Sequence, residues 1–359
     1  MKHLDLIKTM TMAHGPSGFE ENVRALIKKH LAGKAEFSQD NLGSLICKKE
    51  GTSSSPKIMI PGHMDEIGFM VNSITKNGYI KFVPLGGWRD QVLLAQKVII
   101  KTRKGDITGV IGSIPPHLLS KEDKNKLVEK KEMFIDVGAK NRQEAQEVMG
   151  ILPGDPIVPD STFHILGEKM IMTKAIDNRV GCCLFMNVLE ALWGIPHANT
   201  VYGVGTVQEE VGLRGATTSA NVVAPDVCLT IDVTVATDMP GLEKEDPEIK
   251  LGNGPVLTLA DATVISNRSL RNFVIDTAKK NEIPLQYNTM MGGGTDGGAI
   301  HKSGSGVPTV VISIPTRYIH SHYSIFHYDD YETSLRLLLS LIKALDEKTV
   351  NNIIKDEVL

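Results

Sequence analysis

The sequence lacks any apolar run long enough to cross a membrane, and it lacks an excess of charge of either sign. Among its 359 residues, no stretch approaches the ~18 consecutive apolar residues that a membrane helix needs. The 39 basic and 42 acidic residues give a net charge of −3, unlike the basic excess that attracts nucleic acid or an anionic membrane surface. We therefore expect neither nucleic acid nor membrane as a partner.

Cysteine is scarce, and the N-terminal segment lacks the apolar centre of a signal peptide. The cysteines are Cys47, Cys182, Cys183 and Cys228, and none belongs to a CxxC pair. Their apolar surroundings predict buried thiols in a reducing compartment. Residues 1–15 carry charges between their apolar positions, which predicts an amphipathic helix. These features together predict a cytoplasmic protein.

Apolar residues and glycine, in contrast, are plentiful. The chain is 42% hydrophobic and 23% charged, as is usual for a folded protein and unlike a disordered one. At ~100–200 residues per domain, this length predicts two domains, or one domain with an insertion. The 33 glycines are not periodic and cluster at the ends of predicted strands, which directs attention to those ends.

The pattern of the chain changes twice. Near Asn72 it turns into short alternating runs separated by turn residues, which are typical of a small β-rich domain. After Leu166 it returns to continuous β-branched strands alternating with helices, typical of an α/β sandwich with a mostly parallel or mixed sheet. We predict a discontinuous α/β domain, residues 1–72 and 167–359, with a β-barrel-like domain inserted at 73–166.

Three buried strands and one helix start are predicted most directly. The strands are Val201–Val207, Val227–Ile231 and Pro308–Ile314. Ser17 and Glu20 have the spacing of a capping box, which predicts a helix starting at about residue 18.

Acidic and imidazole side chains follow the predicted strands of the sandwich. They are His63, Asp65, Asp177, Glu209, Glu210, Asp232 and His320. Ligands bind outside the carboxyl ends of strands in open α/β sheets, so these residues are expected to converge on one rim. Singly, each has a plainer interpretation: Asp177 could cap a helix, the glutamates could lie in a solvated turn, and the histidines could be packing residues.

The chemistry of this set points to a metal site. Imidazole and carboxylate ligands without thiolates suit Zn²⁺, Co²⁺ or Mn²⁺. Of two adjacent glutamates, one can bind metal while the other acts as general base. Asp65, two residues from His63, could orient that imidazole. Asp177 is the natural carboxylate bridge of a site with two metal ions.

Six segments in the same order resemble one known family. They are Gly62–Phe69, Lys174–Arg179, Thr206–Gly212, Thr230–Asp232, Gly293–Asp296 and Arg317–Ser321. On these motifs the chain resembles the tetrahedral (TET) aminopeptidases. These are dinuclear metallopeptidases related to glutamyl and deblocking aminopeptidases, and some have been labelled endoglucanases. The resemblance covers essentially the full length.

The resemblance implies a fold and a metal site. The fold is the α/β/α sandwich of zinc exopeptidases (phosphorylase/hydrolase-like), with a mixed sheet. Each subunit would hold two divalent ions, Zn²⁺ or Co²⁺ first and Mn²⁺ as the alternative. One ion would bind His63 and Asp232, the other Glu210 and His320, and Asp177 would bridge them.

The resemblance also implies an activity. The enzyme would remove N-terminal residues from short peptides with a hydroxide that bridges the metals. Glu209 would be the general base and Asp65 would orient His63, while the peptide bond after Asp177 is expected to be cis. Alternatives are a related dimetal hydrolase acting on another amide, such as an N-acyl amino acid, and more remotely a glycosidase or an inert binding protein. The resemblance leaves open whether the enzyme prefers an acidic, an aliphatic or a basic N-terminal residue in its substrate.

The glycine-rich run around Gly293, Gly294 and Thr295 has three interpretations. No Gly-Lys-Ser/Thr follows, which argues against a phosphate loop. A flexible linker and a substrate-binding loop with closely approaching backbone amides remain, and the resemblance favours the loop. It further implies that the β-rich insertion mediates dimerisation, and that dimers build a tetrahedral dodecamer with its active sites facing inward.

Overall fold

The structure, a computed structural model, describes residues 1–122, 126–242, 244 and 248–356. The helices α1 to α8 are Leu4–Met12, Glu21–His30, Ile176–Ala191, Arg214–Val223, Arg268–Lys280, Gly297–Ile300, Tyr328–Ala344 and Glu347–Ile354. The strands β1 to β9 are Glu36–Gln39, Leu45–Lys49, Lys57–His63, Gly68–Ile74, Ile80–Leu85, Lys97–Thr102, Gly105–Gly112, Phe134–Asp136 and Pro156–Pro159. The strands β10 to β17 are His164–Leu166, Met170–Thr173, Thr200–Thr206, Val227–Val235, Val256–Asp261, Gln286–Met290, Thr309–Arg317 and Ser324–His327.

A large mixed sheet forms the centre of the molecule. Its order is β1-β2-β12-β3-β13-β16-β17-β11-β10, with β14 pairing beside β16 and β15 beside β14. The four neighbours β12, β3, β13 and β16 run parallel, so their carboxyl ends meet at one edge. Three of them, β12, β13 and β16, are the strands whose continuous apolar runs predicted a doubly buried sheet.

Helices cover both faces of this sheet. Within β3, Ile58 and Ile60 pack into the core that includes α3 and α7. Met59, between them, packs into a smaller core with Ala216 and Ala220 of α4 on the opposite face. This alternation is the two-residue period of a strand buried on both sides, and it confirms the predicted α/β/α sandwich.

A closed antiparallel barrel lies between β3 and β10 in the chain. Its strand order is β4-β5-β8-β7-β6-β9. Its interior is a separate apolar core to which Phe69, Ile100, Ile135 and Ile157 contribute. Closure pairs the edge strands that an open sheet would expose, and it confirms the barrel-like part of the predicted fold.

The start of α2 differs from the prediction. The helix begins at Glu21 and not near residue 18, because Ser17 and Glu20 have partners other than each other's backbone. Ser17 Oγ donates to Asp65 Oδ2 at 2.6 Å, and Glu20 Oε1 accepts from the N–H groups of Gly18 and Gln208. The predicted capping box is therefore wrong.

The N-terminal segment forms the predicted amphipathic helix, α1, with Ile7 and Met10 buried. No helix in the described part of the chain combines the length and the apolar character needed to cross a membrane.

Candidate metal centre

Six of the predicted residues line one cavity of about 650 Å³ at the carboxyl edge of the parallel strands. They are His63, Asp177, Glu209, Glu210, Asp232 and His320. His63 ends β3 and Asp232 lies in β13, while the two glutamates follow β12 and His320 follows β16. Asp177 stands at the start of α3, directly after β11. The convergence expected from the strand ends is therefore present.

Asp177 lies between the two histidines. Its Oδ1 atom is 2.9 Å from His63 Nε2, and its Oδ2 atom is 3.4 Å from His320 Nε2. The peptide bond from Asp177 to Asn178 is cis, as the resemblance implied. Each oxygen of this one carboxylate thus faces a different imidazole.

The other carboxylates divide between the same two imidazoles. His63 Nε2 is 3.8 Å from Glu209 Oε2 and 4.0 Å from Asp232 Oδ1. His320 Nε2 is 3.3 Å from Glu210 Oε2. His320 Nδ1 is 2.9 Å from the carbonyl oxygen of Gly87, which holds the ring in this orientation.

Asp65 lies behind the cavity, where it contacts His63 and the glutamate loop. Its Oδ1 atom is 3.5 Å from His63 Nδ1, and its carbonyl oxygen is 3.1 Å from the same nitrogen. The carboxylate also accepts the backbone N–H groups of Glu209 and Glu210. Asp65 is fully buried, so these contacts replace the hydration that it loses.

The carboxylates of the cavity repel one another. Burial raises the pKa of Glu209 well above its ordinary value, and the charges of Asp232 and Glu210 add to the rise. Burial and the charge of Asp177 raise the pKa values of Glu210 and Asp232 as well. Burial opposes protonation of His320, yet hydrogen bonds to Asp177 and Glu210 raise its pKa to about 11. The site is therefore short of positive charge.

This donor set fits a divalent cation. Two groups of three ligand atoms lie within 4.8 Å of one another: His63 with Asp177 and Glu210, and His63 with Glu209 and Asp232. Glu210 Oε1 is buried without a hydrogen-bond partner in the described chain. The ion pairs of these carboxylates among the described residues are all with the two histidines. Imidazole and carboxylate ligands around such unpaired charge are what a bound cation needs.

Gly293, Gly294 and Thr295 also line the cavity. Thr295 Oγ1 donates to Asp261 Oδ2 at 3.0 Å, which ties the loop to the end of β14. A Cβ atom on Gly294 would lie 2.5 Å from Thr263 Cγ2, too close for a side chain. Close packing of the Gly294 backbone against Thr263 therefore explains why this position is a glycine, and the loop forms one wall of the cavity.

Sequence reasoning missed Asp296. This buried carboxyl group accepts a short hydrogen bond from Thr206 Oγ1 at the end of β12. Burial raises its pKa to about 6, and its charge contributes to the raised pKa of Glu209. It stands in the Gly-Gly-Thr-Asp motif that carried the resemblance, so the motif was the signal available, although no role followed from it.

Comparisons with known proteins agree with this geometry. Residues 43–337 match the M42 glutamyl aminopeptidase family. The chain is 37% identical to the glutamyl aminopeptidase of Lactococcus lactis subsp. cremoris, over 98% of this chain and 99% of that protein. It is also 37% identical to the lysyl aminopeptidase of Pyrococcus furiosus, over 95% of this chain and 97% of that protein.

Solved structures share the whole fold. A TET aminopeptidase from a marine sediment Thaumarchaeota archaeon is 47% identical with a TM-score of 0.96, covering 98% of this chain and 99% of that chain. The TET1 peptidase of Pyrococcus horikoshii, described as assembling into a tetrahedron or a large octahedral shell, is 32% identical with a TM-score of 0.86, covering 95% and 99%. A PhTET1 structure described as a dodecamer gives the same identity and TM-score over 96% and 100%.

The expected resemblance to the TET aminopeptidases is thereby confirmed, and the family and its curated relatives identify an aminopeptidase instead of a glycosidase or an inert binding protein. The chain belongs to the M42 family of glutamyl aminopeptidases and is a metal-dependent aminopeptidase.

Proposed function

We propose that this aminopeptidase removes single N-terminal residues from short peptides with two divalent ions held by the cavity. The observation that carries the proposal is the position of Asp177, whose two oxygens face His63 and His320. A carboxylate with a separate imidazole on each oxygen is suited to bridge two cations.

Each ion would have its own ligands beside the shared Asp177. His63 and Asp232 would hold one, and Glu210 and His320 the other. Zn²⁺ and Co²⁺ suit these nitrogen and oxygen ligands best, with Mn²⁺ as the alternative. When bound, the pair would supply a water molecule of lowered pKa and polarise the carbonyl of the scissile bond.

Glu209 would act as the general base and acid. Its carboxylate lines the cavity and is nearly buried, with Oε2 only 3.8 Å from His63 Nε2. Adjacent Glu210 would be occupied by metal, which leaves Glu209 free to take the proton of the attacking water. Glu209 would then return that proton to the leaving amine.

Asp65 and the glycine-rich loop would position the reacting groups. Asp65 contacts His63 and the backbone of both glutamates, so it would fix the distance between ligand and base. Gly293, Gly294 and Thr295 would align the substrate's backbone along the cavity wall that they form.

The barrel, whose strands lie between Gly68 and Pro159, would be the dimerisation domain that the sequence places at 73–166, and dimers would assemble into a dodecamer. The assemblies named for the TET1 structures support this proposal. Inward-facing active sites would admit only short peptides. The four free, buried cysteines support a reducing, cytoplasmic setting.

Aminoacyl p-nitroanilides with free and with N-acetylated amino groups test the activity. After chelator treatment, Zn²⁺, Co²⁺ or Mn²⁺ is added back separately. We expect hydrolysis of the free-amine substrates only, lost in chelator and restored by metal. Preferential cleavage of N-acetylated substrates would instead support the hydrolase of another amide.

A further inference from the structure

The cavity that holds the candidate metal ligands has a second, apolar side. We call it the apolar wall, and its residues are Leu213, Val233, Val235, Met290 and Ile319. Val233 and Val235 lie in the last part of β13, Leu213 and Ile319 follow β12 and β16, and Met290 ends β15, which runs antiparallel to β16. The wall therefore combines residues at the edge that presents the metal ligands with a residue of β15, and the two sides meet within one cavity.

Outside the candidate metal centre, the described part of the lining offers no charge to a substrate side chain. Apart from the six candidate metal-binding and catalytic residues, the described residues that line this cavity include no Lys, Arg, Asp or Glu. The remaining lining consists of the apolar wall, glycines and two threonines. An acidic or a basic side chain placed there would lose hydration without gaining an opposite charge, which costs far more than burying an apolar group.

One ion pair lies close to the wall in the sequence, but its two charges are paired with each other. Arg317, two residues before Ile319, donates from Nε and Nη2 to the oxygens of Asp238 at 2.9 and 2.7 Å. Asp238 Oδ2 accepts a further hydrogen bond from the backbone N–H of Leu251. This bidentate pairing leaves Arg317 without a free charge for an acidic substrate, and Asp238 without one for a basic substrate.

We propose that the apolar wall receives the side chain of the substrate's first residue and selects uncharged, apolar residues such as leucine and methionine. The inference rests on the proposed function and makes its substrate class specific. Glutamyl and lysyl aminopeptidases are equally similar to this chain, at 37% identity, so overall similarity does not choose a substrate. The side chains of the wall do distinguish between substrates, because they complement neither the negative charge of a glutamyl side chain nor the positive charge of a lysyl side chain.

Met290 is the most informative residue of the wall. It ends β15 beside the glycine-rich loop, where a Cβ on Gly293 would lie 3.1 Å from Met290 Cε. Its unbranched side chain adapts to ligands of different shape. Met291, the next residue, is 69% exposed and absent from the cavity lining. The two methionines thus provide the same substitution inside and outside the cavity.

The first experiment measures kcat/KM for leucyl, methionyl, alanyl, glutamyl and lysyl p-nitroanilides with the full-length, metal-loaded protein. We expect the leucyl and methionyl substrates to exceed the glutamyl and lysyl ones at least about 100-fold, and the alanyl one at least about tenfold. A glutamyl or lysyl substrate equal to leucyl would overturn the inference. Failure to cleave any of the five would instead reject the proposed function.

The second experiment tests whether Met290→Lys and Met290→Glu change the preference for the first residue of the substrate. Met290→Lys should raise the glutamyl-to-leucyl ratio at least about tenfold, and Met290→Glu should do the same for lysyl over leucyl. Met291→Lys and Met291→Glu are the matched controls and should leave both ratios unchanged. Equal shifts in the two pairs would overturn the inference, because they would reflect the general field of an added charge.

Val235 supplies an independent position in case the Met290 variants do not fold. It ends β13 with 44% of its surface exposed, so Val235→Lys is tolerable, and it too should raise the glutamyl-to-leucyl ratio. Dipeptides that vary either the first or the second residue complete the test. If Val235→Lys changed the preference for the second residue only, the wall would contact the second residue of the substrate and not the first, and the inference would be overturned.

Discussion

Asp65 holds the backbone of Glu209 in place: its Oδ1 atom accepts the Glu209 N–H at 3.0 Å. Its Oδ2 atom accepts the next N–H, of Glu210, at 3.2 Å, and the hydroxyl of Ser17 at 2.6 Å. Burial opposes ionisation, but the hydrogen bonds from His63, Ser17 and Glu209 lower the pKa of Asp65. One ionised, buried carboxylate therefore links the proposed base, a proposed ligand and the segment before α2.

Asp65→Asn should slow catalysis without unfolding the protein. The new amide nitrogen cannot accept a hydrogen bond, so one of the N–H groups of Glu209 and Glu210 loses its partner. We expect kcat or metal affinity to fall roughly 10- to 100-fold. Steady-state kinetics and metal titration measure this effect, with exposed Asp5→Asn as the control. Unchanged values for both quantities would contradict a positioning role.

Glu209→Gln and Glu210→Gln should separate the base from the ligand. Glu209→Gln removes the group that accepts the proton, so kcat should fall about 10²- to 10⁴-fold while bound metal stays at the wild-type level. Glu210→Gln should lower bound metal as well as kcat. Metal analysis of dialysed protein provides the comparison. Metal loss from Glu209→Gln alone would reverse the proposed roles.

Local sequence patterns predicted the site because a strand buried on both faces shows itself as a continuous apolar run within the strand. The β-branched runs Val201–Val207 and Pro308–Ile314 identified two buried strands, which end at Thr206 and Arg317 in the structure. Parallel strands bring their carboxyl ends together. Metal-ligand chemistry and the family motifs then selected the residues at those ends.

The surroundings of the site depend on contacts far apart in the chain. Ser17 and Asp65 are 48 residues apart, and Glu20 and Gln208 are 188 apart. These tertiary contacts prevented the capping box that the local spacing predicted. The hydrogen bond that Asp296 accepts likewise comes from Thr206, 90 residues away, and no pattern within the glycine-rich run contains it.

His63→Ala and His320→Ala should each lower metal content. If Asp177 bridges two ions, removal of His320 should reduce bound metal from about two to about one per subunit, because His63 and Asp232 remain. His63→Ala should reduce metal and activity together. Elemental analysis after dialysis measures the stoichiometry, with exposed His164→Ala as the control. Two ions retained by both variants would reject these ligands.

Glu20→Gln should change how stability depends on pH. Burial and the charge of Asp65 raise the pKa of Glu20 from 4.5 to about 7. The folded state therefore binds this proton more tightly than the unfolded state, and the contribution of Glu20 to stability falls as pH rises between those values, by at most about 1.4 kcal/mol per pH unit. Glutamine lacks this titration but can keep the Oε1 atom that accepts both N–H groups.

The measurement for Glu20 is the apparent melting temperature of wild type and Glu20→Gln from pH 5 to 8, in chelator and at fixed protein concentration. The melting temperature of the variant should rise relative to that of the wild type up to about pH 7, and above that pH the difference should stay constant. A difference independent of pH would contradict the raised pKa. Exposed Glu21→Gln should track the wild type throughout.

Arg179→Lys should destabilise the protein although it preserves the charge. The Arg179 guanidinium is fully buried two residues after Asp177, and it donates to backbone carbonyl oxygens of Met10, Ala13, Gly15 and Met64. A lysine has three donors on one nitrogen and no planar fork, so it cannot reach this spread of acceptors. Each buried acceptor left without a donor costs about 1–3 kcal/mol. We therefore expect a loss of about 2 kcal/mol or more.

That loss should appear as a lower apparent melting temperature and as lower activity, because these carbonyls belong to the segments that precede α2 and follow β3. Arg268→Lys is the matched control, since that side chain is 66% exposed and pairs with Asp356 at the surface; exposed pairs contribute only about 0–1 kcal/mol. Equal stability of the two lysine variants would mean that the Arg179 contacts do not hold the segment. Lower activity at unchanged stability would instead place Arg179 among the residues that position Asp177.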